Sequence, residues 1–119
     1  MSMGANRDTL YVAGWLDLSK GPLVLQVPDM GDHYYSVQFT DSATNTNFAY
    51  VGTRTTGTAS GDHLISGPRW TGTVPDGIGH VSSPHNAVLL IGRVFVANDN
   101  DIPTAHALAQ TIRLTSLET

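Results

Sequence analysis

"NAVLLIGRVFVAN", Asn86 to Asn98, is the longest apolar run of the chain, and the fold turns on how it is read. Turn-forming residues bound it on both sides, and such a run suits a strand buried inside a layered structure. It is therefore predicted as the central strand. Gly92 in its middle predicts a bend or bulge. Arg93 interrupts the run, and a buried guanidinium needs a partner because burial strips its hydration. Asp17 and Asp41, which punctuate other apolar strands, are the candidates for a structural ion pair with Arg93.

Outward from this run the pattern stays β-like. "TLYVAGWLDL" (Thr9 to Leu18) is apolar on both faces and predicts a strand covered on both sides. "LVLQV" (Leu23 to Val27) and "HYYSVQFTD" (His33 to Asp41) alternate, with Tyr35, Val37 and Phe39 on one face of the second. The stretch between them, "PDMGD", combines a φ-setting proline, a permissive glycine and backbone-bonding aspartates, so the two are predicted to form an antiparallel hairpin. "FAYVG", "HLISGP" and "GHVSSP" predict shorter strands. After Asn98 the period changes. Asp101 is placed to cap a helix, Pro103 fits its first turn, and Ala105, Leu108, Ala109 and Ile112 recur at helical spacing, which predicts a helix over about 102–113. Many short strands followed by one helix make the protein mainly β: an antiparallel β-sandwich or rolled sheet with one C-terminal α-helix, in a single domain spanning 1–119.

Composition narrows the partners. The 119 residues carry a net charge of −4, and charged residues make up only 13% of them, against about 25% in typical soluble domains. Fourteen threonines and nine serines supply the polarity instead. No basic stripe exists to displace counterions from nucleic-acid phosphates, and no amphipathic basic helix suits a membrane surface. Cysteine is absent, so there is no disulfide or thiolate metal site. The opening residues lack the apolar core of a signal peptide, and no run is long enough to span a bilayer, so the expected location is cytoplasmic.

Few stretches invite chemistry. "GTRTTG" (Gly52 to Gly57) has glycines at phosphate-loop spacing but no lysine and no following helix, so that reading fails. It leaves a Gly/Thr loop presenting Arg54, anchored by an acid or facing a small anion. His80 and His85 flank "VSSP", too few ligands for a metal, and no metal or cofactor is expected. Ser66 lacks the flanking glycines of a nucleophile elbow. Tyr11, Trp15, Tyr34, Tyr35 and Trp70 serve a core or a ligand pocket equally well.

"NRDTLYVAGWLDLSKGP", "VPDMGDHYYSVQFTDSATN", "GTRTTG", "GPRWTG" and "SPHNAVLLIGR", in that order, resemble domain-of-unknown-function family 1254, over nearly the whole chain. The resemblance implies a β-rich, sandwich-like domain. Its recurrent polar positions match here at Asn6, Asp8, Thr9, Tyr11, Asp17, Tyr34, Asp41, Asn45, Arg54, Thr55, Trp70 and Arg93; the family carries no catalytic assignment, and histidine is not characteristic at the position of His85. Members are commonly longer, often exported, and often followed by a domain of family 1214, so apolar surface covered in them is expected to be repolarised or buried between subunits here. The expected ligand-binding set is Asn6, Asp8, Tyr11, Arg54, Thr55 and Trp70, facing a small polar or anionic molecule. The expected function is a non-catalytic small-molecule-binding or self-assembling module, a homo-oligomer; the alternative is a small hydrolase-like enzyme using Asp8, Arg54 and a histidine.

Overall fold

The computed structural model describes residues 2–5 and 9–116, with side chains from Thr9 onward. Nine strands and one α-helix are formed among them: β1 (Ser2–Ala5), β2 (Thr9–Asp17), β3 (Leu23–Val27), β4 (Tyr35–Asp41), β5 (Thr46–Gly52), β6 (Gly61–Ser66), β7 (Gly79–Ser82), β8 (Ala87–Phe95), α1 (Ile102–Thr111) and β9 (Arg113–Ser116). They build two sheets, one in the order β1-β2-β8-β4-β5 and one in the order β7-β6-β3-β9. Every pairing is antiparallel except that of β6 with β7. The protein is mainly β with one helix near its C-terminal end.

β8 occupies the centre of the five-stranded sheet, between β2 and β4, as its apolar run predicts. Val88, Leu90 and Val94 point inward with Leu10, Val12 and Leu16 of β2 and Val37 and Phe39 of β4. Leu25, Val27 and Ile65 of the second sheet meet them from the other side, and Ala105, Ala109 and Ile112 of the helical segment join the same core. Apart from buried Thr9, the alternate residues of β2 and β8 are half-buried or exposed. Trp15 is exposed on the outer face of the five-stranded sheet, so β2 is buried on one face rather than on both.

Four further expectations are corrected. Gly92 makes no bulge: it pairs in regular register with Val12 and Val37. The irregularity lies between Phe39 and Thr40 of β4, where the partner strand β5 inserts an extra residue, Phe48. β3 and β4 are not a hairpin. Their connection does form the local turn, with Gly31 at φ 58° and its amide donating to Asp29 Oδ1 at 2.9 Å. Met30 is buried, however, its amide donates to the carbonyl of Thr58 at 2.8 Å, and the chain crosses here to the other sheet. The helix ends at Thr111, and the residues after it turn into β9 along β3. Asp101 stands at the N-cap position without a capping bond; its carboxylate goes instead to the Ala97 amide and to His33.

Candidate functional site

The expected ligand-binding residues fall in three places. Asn6 and Asp8 lie outside the described residues. Tyr11 is on the outer sheet face, with the Arg93 guanidinium 5.6 Å from its ring centroid. Arg54 lies over Tyr34 at 5.7 Å, in a shallow cleft that Tyr50 and Thr55 also line. Trp70 sits in a different cleft with Lys20, Arg69 and His85. The structure therefore does not bring Trp70 to Arg54.

Nor does "GTRTTG" offer amides to an anion. The amides of Thr55, Thr56 and Gly57 all donate to the carbonyl of Gly52, at 3.0, 2.8 and 3.0 Å. The loop is closed on itself, and Gly52 is required because a side chain there would strike the backbone of Tyr35 and Ser36. Among the described residues no carboxylate pairs with Arg54, and Arg93 stacks on Tyr11 in place of the expected ion pair. Asp17 turns to Ser19, whose hydroxyl and amide hold its carboxyl below the ordinary range.

Asp41 has another partner. The alternation of β4 continues to it, so it follows Tyr35, Val37 and Phe39 inward and opposes the buried Val88. Only 2% of its side chain is accessible, and Oδ2 lies 2.6 Å from His85 Nδ1. The Ala43 amide donates to Oδ1 at 3.0 Å and the Thr44 hydroxyl to Oδ2 at 2.9 Å. Burial works against the charge of Asp41, but the Ala43 amide, His85 and Thr44 outweigh it and hold the carboxyl below its usual range. A carboxylate only accepts, so Nδ1 carries the proton of its bond with His85, and Nε2 is directed away from it. The imidazole is half exposed and borders the cleft.

Three loops bring the cleft together. The β7–β8 loop is pinned by Ser83, whose hydroxyl donates to the His85 carbonyl at 2.6 Å, and the Leu18 amide donates to the Asn86 carbonyl at 2.9 Å. The β2–β3 turn that follows Leu18 carries Lys20. Gly67 opens the loop after β6: a Cβ there would come within 2.6 Å of Asn86 Oδ1 and 3.3 Å of Leu18, so glycine permits the closest approach of all three segments. Arg69 and Trp70 follow in that loop, and the indole meets His80 edge-on at 5.8 Å. His80 is fixed in turn by Ser66, 2.7 Å away. The cleft has a volume of about 740 Å³.

Its walls thus combine two cationic side chains, an indole and an imidazole held from behind by a buried acid. That set can bind a small anion with a flat apolar portion. Among the described residues no three histidines and carboxylates converge as a metal would require. Sequence reasoning found Trp70 and missed Lys20 and Arg69. The inward parity of Asp41 was the available signal, since an acid at a buried position needs a partner.

The chain belongs to the family described as "Protein of unknown function (DUF1254)", whose model matches residues 2–116. The fold is similar to the crystal structure of the VPA0106 protein from Vibrio parahaemolyticus, a structural genomics target, with a TM-score of 0.87 and 31% sequence identity. That match covers 95% of the present chain and 29% of the other, so the chain spans under a third of that protein's length. No curated protein matches. Among the described residues no helix is long and apolar enough to cross a membrane.

Proposed function

We propose that this protein is a non-catalytic binding module for a small anionic molecule, held in the cleft of Lys20, Arg69, Trp70 and His85. The observation that carries this reading is the gathering of basic side chains: the chain has six lysines and arginines and a net charge of −4, yet two of the six line one cleft beside an indole. Lys20 and Arg69 supply charge, His85 Nε2 a directional hydrogen bond, and Trp70 a flat apolar wall. Asp41 orients the imidazole from behind and does not reach the ligand.

The hydrolase alternative, with Asp8, Arg54 and a histidine, gains no support. Arg54 lies among tyrosines, no histidine lines its cleft, and Asp8 is outside the described residues. Self-assembly is the second reading, favoured by the exposed aromatic residues of the outer sheet face.

Titration of the ¹⁵N-labelled protein with benzoate and with inorganic phosphate tests the binding reading. Chemical-shift changes should centre on Lys20, Arg69, Trp70 and His85. Arg69→Ala should weaken binding about tenfold, the scale of one lost charge-assisted hydrogen bond. No response to either anion, or a response elsewhere that survives Arg69→Ala, would overturn the assignment.

A further inference from the structure

The outer face of the five-stranded sheet carries most of the exposed large hydrophobic side chains among the described residues. Four large hydrophobic side chains are exposed among the described residues, and three of them lie on this face: Trp15 at 70%, Tyr50 at 48% and Phe95 at 41%. Half-buried Leu89 and Ile91 join Trp15 and Phe95 across β2 and β8, while Ser36, Gln38 and Thr40 of β4 face the same side and separate Tyr50 from them. Scattered apolar residues need no explanation, but the aromatic and aliphatic patch that β2 and β8 share does.

The geometry points to a second copy of this chain as the occupant, docked face to face across this sheet. Three features favour that partner. The first is area. The 36 residues of its five strands, about 3.4 Å apart along and 4.8 Å apart across the strands, make a face of roughly 590 Å², about three-quarters of the ~800 Å² per partner of a standard interface. The second is the polarity of the face along its strands. The cross-strand rows run from Asp17–Ala87 through Trp15–Leu89, Ala13–Ile91 and Tyr11–Arg93 to Thr9–Phe95, so the acid stands at one end and the arginine near the other. A two-fold axis through the Ala13–Ile91 row, lying in the interface and perpendicular to the strands, sets the acidic end of each copy against the arginine end of the other.

The third feature is shape. That axis lays Trp15 of one copy over the Tyr11–Arg93 stack of the second, where the guanidinium and the indole attract. The small side chain of Ala13 at the centre leaves room for both indoles. A two-fold interface requires each patch to complement itself, and this row order does so. The cleft of Lys20 and Arg69 takes no part, so this inference and the binding reading stand or fall separately.

Size-exclusion chromatography with light scattering, at about 100 μM protein, reads the result. The unmodified protein should elute as a dimer, at twice its 12.7 kDa chain mass. Trp15→Asp and Ile91→Lys should both give monomers with an unchanged far-ultraviolet circular dichroism spectrum. Ile102→Asp, at an exposed apolar residue on α1 rather than on the sheet, should leave the dimer intact. A monomeric unmodified protein overturns the proposal, as does a dimer that survives both sheet substitutions. Should those variants fail to fold, acrylamide quenching of Trp15 in a Trp70→Phe background decides instead. Quenching that rises as the protein is diluted supports the shielded face, and quenching indifferent to dilution refutes it.

Discussion

Two histidine–aspartate pairs occur among the described residues, and they do different work. His33 Nε2 lies 2.7 Å from Asp101 Oδ1, and its Nδ1 faces the carbonyl of Met30 at 3.2 Å, so both ring nitrogens are engaged. Both side chains of that pair are largely covered. It clamps the connection before β4 to the segment leading into α1. In the other pair the acid is buried and the ring is not: Asp41 is closed in by Ala43, Thr44 and His85, while the far nitrogen of His85 borders the cleft. The same two residue types make a latch where every polar atom is used inside the protein, and a presented group where one is left over.

Substitutions can break this contrast, and Asp41→Ala should do so with the largest effect. It removes the acceptor that the Ala43 amide, the Thr44 hydroxyl and His85 share and empties a buried position, and the melting temperature should fall by about 5–10 °C. His33→Ala should cost about 3–6 °C, because it opens the clamp at both ring nitrogens. Differential scanning calorimetry reads both, and a larger loss for His33→Ala than for Asp41→Ala would reverse the ranking.

The pH dependence sharpens the comparison. Asp41 is held below the ordinary carboxylate range against its burial, and Asp101 is held there by the Ala97 amide and His33. Groups with lowered folded-state pKa values contribute stability that is complete above the unfolded value, about 3.9, and lost as pH falls through the folded values. Urea midpoints should therefore drop steeply below about pH 4. The double variant Asp41→Asn, Asp101→Asn, less stable at neutral pH, should show a shallower drop. His63, whose basicity burial lowers despite Asp62, adds a loss of the same sign that begins below about pH 6.5.

The smallest thermal effect belongs to His85→Ala. Water can enter beside Asp41 where the half-exposed imidazole stood, so the melting temperature should shift by no more than about 2 °C. Affinity for the anionic ligand should nevertheless fall about three- to tenfold, the scale of one hydrogen bond. A variant that melts far below the unmodified protein yet binds equally well would make His85 a latch like His33.

Much of the fold was legible because its signals are local. The run from Asn86 announces a central strand by composition alone, and the helix announces its start through Pro103 and its apolar spacing. The hairpin expectation failed for the converse reason. "PDMGD" forms its turn as its residues dictate, but the next strand joins the other sheet, and the Met30–Thr58 bond within that crossing is a contact that no turn rule contains. β9 was hidden because four residues after a helix carry too little periodicity to declare themselves. The site divides in the same way. Trp70 stands out by residue type, whereas Lys20 and Arg69 read as ordinary surface cations until Gly67 and Asn86 bring their loops together. Asp41 and His85 meet across 44 positions of sequence, so neither could name the other.

The central pairing of the first sheet has a consequence for how the chain comes into being. β2 lies against β8, with Asp17 opposite Ala87 and Thr9 opposite Phe95. During synthesis β2 therefore emerges before β8 and waits for that neighbour while some seventy further residues are made, which takes roughly 4–14 s at about 5–20 residues per second. Through that interval the strand carrying Leu10, Val12, Trp15 and Leu16 has β1 beside it but lacks its core and its central neighbour. Pairings this distant in sequence also close slowly once all the residues are present. Substitutions in β8 should accordingly be felt first as newborn chains lost to aggregation or chaperones, before any change in the finished protein is measured.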